Sequence, residues 1–233
     1  MCGRYSLTSP EDAMRLLFDL PAGVTGAWAQ PRFNIAPSQT APVVRCGADG
    51  LGQELVGMTW GLIPGWSQGP GSRGAGQINA RSETAMEKPT FRAACRLRRC
   101  LVPSDGFYEW QKIEGGKQPY WISRIDGAPF AFAGLWETWS AGQAGEIVSF
   151  AILTTAAAPA LRSIHHRMPV IMREKDYAAW LNPDRTPPPE LFAPEQAPRM
   201  QAHPVSHRVN SPRNDDAGCL QAAPKTPIQG RLF

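Results

Sequence analysis

Apolar and polar positions along the chain form short runs that favour β-strands over long helices. Most runs are bounded by Gly, Pro, Asp or Asn, and the chain has 22 Gly and 23 Pro, which predicts many turns. Strand-like runs are APVVR, QELVGMTWGLIP, RRCLVPSDGFYEW, QPYWISRI, PFAFAGLWETW, EIVSFAILTT and MPVIM. IEGGKQ and IDGAPF are predicted as hairpin turns. The pattern therefore predicts a β-rich, loop-rich fold.

Helical signals are fewer. In TSPEDAMRLLFDL, Ser9 is predicted as the N-cap and Pro10 as the first helical residue. The predicted apolar face of this helix comprises Met14, Leu16, Leu17 and Leu20. APALRSI and EKDYAAWL are predicted as short helices, and the second is expected to stop at Asn182 and Pro183.

Two segments are predicted as loops, the glycine-rich stretch 67–77 and the proline-rich stretch 182–198. Strand-like segments resume after each, without a shift in composition that would mark a domain boundary. We therefore predict a single α+β domain over residues 2–222 and a C-terminal tail over residues 223–233.

Composition excludes several classes of protein. Apolar residues make up 42% and charged residues 19% of the 233 residues, as in ordinary globular proteins. The sequence lacks an apolar run of membrane-spanning length and a secretory signal pattern. These features predict no membrane partner and an intracellular location, cytoplasmic and nucleoid-associated, or nuclear in a eukaryote.

The five cysteines are an odd number without paired spacing, which favours reduced thiols over a disulfide framework or a zinc site. His203 and His207 lie four residues apart, but Pro204 between them favours an extended segment, where this spacing does not form a helical metal face. We expect no metal and no cofactor.

The charge balance adds a weak indication of nucleic-acid binding. Lys and Arg number 24 against 20 Asp and Glu, a net charge of +4, and most of the basic residues are arginines. Guanidinium groups suit bidentate contacts with phosphate. Many basic enzymes share this balance, so charge alone does not decide the function.

Cys2 is the most unusual reactive residue, because it follows the initiator Met1 directly. Removal of Met1 would leave an α-amine and a thiol on one residue. At pH about 7.4 roughly a quarter of such α-amines are neutral, far more than of lysine amines. A neutral amine forms an imine with an aldehyde, and the adjacent thiol then closes a five-membered thiazolidine. Position alone favours an incidental thiol at Cys2 over this chemistry.

Other segments carry candidate chemistry that the residues alone leave open. In RSIHHRMPVIM, His165 is either a general acid or base or a capping side chain. Glu109 in SDGFYEW has either a pKa raised among aromatic residues or a solvent-facing side chain. INARSET and WGLIPGW combine arginine with aromatic residues, a pattern typical of single-strand grooves, although Trp60 is expected in the core and only Trp66 at the surface.

Together, MCGRY, PRFNIAPSQ, WGLIPGW, INARSET, RRCLVPSDGFYEW, IHHRMPVIM and HPVSHRVN resemble the SRAP family of SOS-response-associated peptidases, also called abasic-site processing proteins. The matches run in family order from residue 2 to about residue 210. The resemblance implies a bifurcated β-sheet folded into a pseudo-barrel with short flanking helices. It also implies an activity that crosslinks the N-terminal cysteine to abasic sites in single-stranded DNA. We expect the protein to be a monomer.

By this resemblance, Cys2 is the nucleophile and Asn79 orients the abasic sugar and the cysteine. Glu109 assists imine formation and His165 promotes opening of the sugar ring, while Met1 is removed by the protein itself or by an aminopeptidase. A weak lyase activity and reversal of the crosslink are expected side reactions. The DNA contacts are assigned to Arg4, Asn34, Pro37, Ile63, Pro64, Trp66, Arg81 and Arg167. The glycine-rich 67–77 loop departs from the family pattern.

Two other functions remain as alternatives. The first is a peptidase or amidohydrolase in which Cys2 accepts the acyl group and His165 is the base. The second is a nucleic-acid-binding module that forms no covalent product, which salt-dependent binding without an adduct would identify.

Overall fold

The computed structural model describes residues 2–20, 30–47, 52–69, 76–140, 142 and 145–223. Residues 70–75 of the predicted glycine-rich loop and residues 224–233 of the predicted tail lie outside the described residues. None of the described helices is long and apolar enough to cross a membrane.

Two β-sheets form the body of the protein, as the strand-like pattern predicts. The strands are β1 (Tyr5–Leu7), β2 (Arg32–Ile35), β3 (Thr40–Cys46), β4 (Gln53–Trp60), β5 (Asn79–Arg81), β6 (Arg99–Ser104), β7 (Gly106–Ile113), β8 (Gly116–Arg124), β9 (Phe130–Ser140), β10 (Glu146–Ala156), β11 (Arg167–Pro169), β12 (Ile171–Met172) and β13 (Met200–Pro204). One sheet has the order β13-β8-β7-β1-β2, and the other has the order β11-β10-β4-β3-β6-β9-β12, with β5 paired to β10.

The larger sheet closes on itself, because β9 pairs with both β6 and β10. The ring β10-β4-β3-β6-β9 is uneven: β9 and β10 are paired over most of their length, whereas β10 meets β4 only at its middle, where Ser149 and Phe150 lie beside Thr59 and Trp60. The apolar segment 130–135 of β9 is fully buried. The result is the pseudo-barrel that the family resemblance implies.

Along the described strands the chain crosses from one sheet to the other four times, and the crossings after β6 and after β8 correct the sequence prediction. RRCLVPSDGFYEW is not one strand, because it divides at Asp105 into β6 in one sheet and β7 in the other. The Asp105 carboxylate accepts hydrogen bonds from the backbone and hydroxyl groups of Thr8 and Ser9. IDGAPF turns at Gly127 but is not a hairpin, since β8 and β9 belong to different sheets. IEGGKQ does form the predicted hairpin between β7 and β8.

The helices are short, namely α1 (Glu11–Leu17), α2 (Arg92–Leu97) and α3 (Tyr177–Leu181). The prediction of Ser9 as N-cap is wrong, because Pro10 holds that position and the Ser9 hydroxyl instead binds Asp105. Leu16 was predicted on the buried face of α1 but is 86% exposed. α3 ends at Leu181, as the following Asn182 and Pro183 predict.

Several elements carry too few residues for a periodic pattern. APALRSI contains a single turn of 3-10 helix, Pro159–Leu161, and the predicted loop 182–198 contains two more.

His203 lies in the short strand β13, so the extended conformation predicted there is confirmed. Trp60 is fully buried between the rings of Tyr5 and Phe150, as predicted.

Candidate functional site

The N-terminal segment reaches the site because it runs antiparallel to β7. Tyr5 is paired with Phe107, and the backbone N–H of Tyr108 donates to the carbonyl of Arg4 at 2.9 Å. Continuing this register past Tyr5 brings Cys2 alongside the middle of β7, where Glu109 lies. β1 and β7 therefore place a thiol and a carboxylate together, although more than a hundred residues separate them.

Cys2 is fully buried, and its Sγ lies 3.9 Å from the carbonyl oxygen of Arg4. Burial raises the pKa of the Cys2 thiol, and the charge of Glu109 raises it further. The thiol is therefore neutral at physiological pH. It needs a base before it can attack as a thiolate.

Asn79 holds the backbone of Cys2 from the opposite sheet. β5 pairs in parallel with β10, opposite Ile152, and the Asn79 side chain donates from Nδ2 to the Cys2 carbonyl at 2.8 Å. Its Oδ1 is buried without a hydrogen-bond donor among the residues that the structure describes. A buried acceptor of this kind suits a donor on a bound ligand or on the cysteine itself.

Glu109 projects from β7 and is 4% exposed. Burial raises the pKa of its carboxyl group, because the charged form is poorly solvated there. Its Oε1 lies 4.0 Å from Nδ1 of His165. A carboxyl group with this raised pKa can exchange a proton at a pH nearer neutrality than an exposed glutamate can.

His165 lies just before β11, where the backbone N–H of Arg167 donates to Nδ1 at 3.0 Å. In the neutral tautomer that accepts this bond, the ring proton is on Nε2. When Nδ1 carries a proton, it donates instead to the Arg167 carbonyl, also at 3.0 Å. Burial lowers the pKa of His165. The His166 ring stacks on it with centroids 4.4 Å apart, and the charge of His165 lowers the pKa of this exposed neighbour.

The structure thus brings together Cys2, Asn79, Glu109 and His165, which come from four separate segments. It also brings Arg167 to the edge of this site, since β11 pairs with the end of β10. In the described part of the chain, no group of three or more His, Cys, Asp or Glu side chains is arranged to hold a metal ion.

The residues assigned to DNA contacts fall into two sets. Arg81 and Trp66 are exposed, Trp66 at 71%, and Pro37, Pro64 and Arg167 are partly exposed. Ile63 is instead 5% exposed, and its backbone N–H donates to Ser149. Ile63 therefore presents little surface to a ligand in this conformation.

Asn34 and Arg4 form an internal network with the C-terminal segment. Asn34 is fully buried, and its Nδ2 donates to the carbonyls of Val209, Ser211 and Asn214. Arg4 donates to Asn34 Oδ1 at 2.9 Å and to the Val209 carbonyl at 2.8 Å. Both side chains therefore fix the segment that covers β1 and β2, and Asn34 has no surface to offer to DNA.

We predict that Asn34→Ala destabilises the protein by about 2–4 kcal/mol, because the substitution removes four hydrogen bonds made by a fully buried side chain. For a chain of this size, that corresponds to a decrease in Tm of roughly 5–12 °C in a thermal melt. Asn210→Ala is the matched control, since Asn210 is an exposed asparagine on the same C-terminal segment. Equal melting temperatures for the two variants would contradict this role of Asn34.

Comparison with known proteins identifies the family. The family model described as SOS response associated peptidase (SRAP) matches residues 1–212. The chain belongs to the SRAP family. Abasic site processing protein YoaM of Bacillus subtilis is 40% identical over 226 residues, covering 95% of this chain and 98% of the relative. Abasic site processing protein HMCES of Gallus gallus is 32% identical over 223 residues, covering 82% of this chain and 66% of the relative.

A solved structure from the bacterium Bacteroides thetaiotaomicron has the same fold as this SRAP chain. Its TM-score is 0.79 at 27% identity, covering 95% of this chain and 100% of the other. The resemblance inferred from the sequence motifs is therefore confirmed for the family and for the fold class.

Glu83 was quoted within INARSET but received no role from the sequence. In the structure it forms a bidentate ion pair with Arg167, 84 residues away. This ion pair could be recognised from the register of β5, β10 and β11. That register places Arg81 and Arg167 on the two strands that pair with β10 on either side of Thr154. A single sequence does not give that register.

Proposed function

We propose that this protein recognises abasic sites in single-stranded DNA and forms a covalent crosslink through Cys2 after Met1 is removed. The observation that carries the proposal is the convergence of a buried thiol, a buried carboxyl group of raised pKa, an imidazole and an amide around the chain's second residue. The two curated relatives are both named abasic site processing proteins. Because one chain supplies all four residues, the proposed chemistry needs no second chain.

The first step of the proposed reaction opens the sugar. An abasic deoxyribose exists mainly as a closed hemiacetal, so its aldehyde appears only after the ring oxygen gains a proton and the C1′ hydroxyl loses one. His165 is suited to the first of these transfers, because Nε2 carries a proton in the protonated ring and in the neutral tautomer that accepts from the Arg167 N–H. Asn79 Oδ1, a buried acceptor, is suited to hold a sugar hydroxyl or the α-amine in place.

The second step joins the amine to the aldehyde. The neutral α-amine of Cys2 adds to C1′ and gives a carbinolamine. Glu109, as the carboxylic acid, donates a proton to the carbinolamine hydroxyl, which leaves as water and produces an iminium ion. The raised pKa of Glu109 supports this role, since it keeps more of the acid form near neutral pH.

The last step closes the ring and regenerates the acid. The Glu109 carboxylate takes the proton of the neutral Cys2 thiol, and the sulfur attacks the iminium carbon to form the thiazolidine. Sulfur and nitrogen are then both bonded to C1′, one water has left, and Glu109 is protonated again. Protonation of the ring sulfur by the same acid reverses this step, and β-elimination from an open imine gives a weak lyase activity.

The strand itself is proposed to lie over the exposed residues next to this site. Arg81 and Arg167 are placed for phosphates and Trp66 for stacking on a base, a combination that favours single strands. An isolated β-bridge between Leu62 and Gln77 links the segment of Trp66 to that of Asn79 and Arg81. This pairing supports one continuous binding face. Pro37 and Pro64 border this face as further candidate contacts.

The peptidase alternative has less support. A cysteine that accepts an acyl group needs a thiolate, yet burial and Glu109 both raise the pKa of the Cys2 thiol. An α-amine nucleophile does not need that thiolate in its first step.

The proposal is tested by mixing the protein with single-stranded DNA that carries one abasic site and separating the products on a denaturing gel. A heat-stable band of protein joined to DNA is expected, and intact DNA of the same sequence should give none. Failure to form this band with protein that lacks Met1 would refute the proposal.

A further inference from the structure

Glu83 and Arg167 form an ion pair at the edge of the site. Arg167 donates from Nη1 to Oε1 of Glu83 and from Nη2 to Oε2, at 2.5 and 2.9 Å. The Glu83 side chain is 50% exposed, whereas that of Arg167 is 13% exposed. The carboxylate is therefore the accessible partner, bound by two parallel hydrogen bonds to a well-packed guanidinium.

Arg167 does not depend on Glu83 for its position. Its Nη2 also donates to the carbonyl of Thr154 at 2.6 Å and lies 3.2 Å from the Thr154 hydroxyl. These contacts belong to β10, which also pairs directly with β11. Loss of the carboxylate would consequently leave the guanidinium in place, with Nη1 available to another oxyanion.

Arg81 adds a second positive charge close to the Glu83 carboxylate. It lies two residues before Glu83, and the charges of Arg167 and Arg81 both contribute to the lowered pKa of Glu83, with the Arg167 hydrogen bond as the largest cause. Arg81 is exposed and takes part in no ion pair among the residues that the structure describes. One carboxylate thus offsets part of a two-arginine cluster beside Asn79.

A phosphate and a carboxylate compete for the same face of a guanidinium, because both bind it through two oxygens. We propose that Glu83 is an internal competitor that occupies the phosphate-binding face of Arg167 until a DNA strand displaces it, and so lowers the affinity of the site for intact single-stranded DNA. This inference rests on the proposed function. An intact strand gains only phosphate and stacking contacts from binding, so the cost of displacing Glu83 removes much of its affinity, whereas an abasic strand is retained by the covalent bond.

The test is the binding of an undamaged oligothymidylate to Glu83→Gln, measured by fluorescence anisotropy over a range of salt concentrations. The affinity at low salt should rise roughly three- to tenfold, and the log–log salt dependence should steepen by about one, because one further cation contacts phosphate. With excess oligothymidylate present, crosslinking to an abasic strand should be inhibited at a lower competitor concentration than in the unsubstituted protein.

Glu54→Gln is the matched control. Glu54 is paired with Arg45 at 2.6 Å near the start of β4, away from Trp60 at its other end, and this substitution removes the same negative charge. Its affinity should change less than about twofold. On an Arg167→Gln background, Glu83→Gln should have no effect of its own, which shows that the competition acts through Arg167.

An affinity of Glu83→Gln that equals that of Glu54→Gln, or falls below that of the unsubstituted protein, would overturn the inference. An equal gain with and without Arg167 would also overturn it, because the effect would then be one of net charge. The binding measurement needs no crosslink, so a protein that binds DNA without crosslinking would refute the proposed function and still test Glu83.

Discussion

Cys2→Ala is expected to reduce the heat-stable adduct with abasic single-stranded DNA by roughly two orders of magnitude or more, because the sulfur that closes the thiazolidine is lost. The α-amine survives once Met1 is removed, so an imine still forms. That imine is reversible, and borohydride should trap it as a stable amine. Yields of adduct with and without borohydride on a denaturing gel measure both effects.

Cys95→Ala is the matched control for this substitution. Cys95 is also fully buried, and burial raises the pKa of its thiol to about 11, but it lies in α2, away from the segment of Cys2. This variant should retain the heat-stable adduct. Full formation of that adduct by Cys2→Ala would contradict thiazolidine closure and assign the stable bond to another atom.

Glu109→Gln is expected to slow crosslink formation by roughly 10²–10⁴-fold, the usual contribution of a positioned acid or base. Glutamine has a similar shape but cannot protonate the carbinolamine hydroxyl. The pH dependence should change as well. Burial raises the pKa of Glu109, and the acid form is lost as pH rises through that pKa, so the rate attributable to Glu109 falls on the alkaline side.

Single-turnover rates over about pH 5 to 9 measure this effect. The rate should rise with pH as the α-amine loses its proton, and fall at higher pH as Glu109 loses its proton. The fall at higher pH should be missing from Glu109→Gln. Glu114→Gln, in the exposed turn of the same hairpin, is the control and should keep both the rate and the profile. A Glu109→Gln profile identical to that of the unsubstituted protein would leave His165 as the group that transfers the proton.

The sequence predicted the longer strands well, because their apolar runs are buried on both faces. PFAFAGLWETW and EIVSFAILTT correspond to β9 and β10, the two strands that close the ring. Residues 130–135 and 150–153 within them carry no polar side chain, so these runs are recognisable without knowledge of their partners. The same pattern could not show that RRCLVPSDGFYEW divides at Asp105, because the division depends on contacts with Thr8 and Ser9 near the N-terminus.

The short elements depended on tertiary contacts that sequence patterns do not contain. β5 has only three residues, and its partner is the distant β10. Leu16 fits the helical period of α1 yet is solvent-exposed, because α1 packs through a narrower face that includes Met14. Short segments take their conformation from the sheet that they join.

The candidate site was predictable as residue types and motifs but not as geometry. Cys2, Asn79, Glu109 and His165 were named from the motifs, and the structure brings them together. Their specific roles stay predictions. The sequence could not separate exposed arginines from structural ones, because Arg4 and Arg81 differ only in their three-dimensional neighbours.

Intact-mass spectrometry, before and after addition of an abasic oligonucleotide, tests the central claim most directly. We expect a protein that begins at Cys2. We also expect an adduct whose mass equals protein plus DNA less one water molecule, and whose mass borohydride does not change because the ring has closed. An adduct that retains Met1 would contradict crosslinking through the α-amine of Cys2, since an amide nitrogen cannot form the imine.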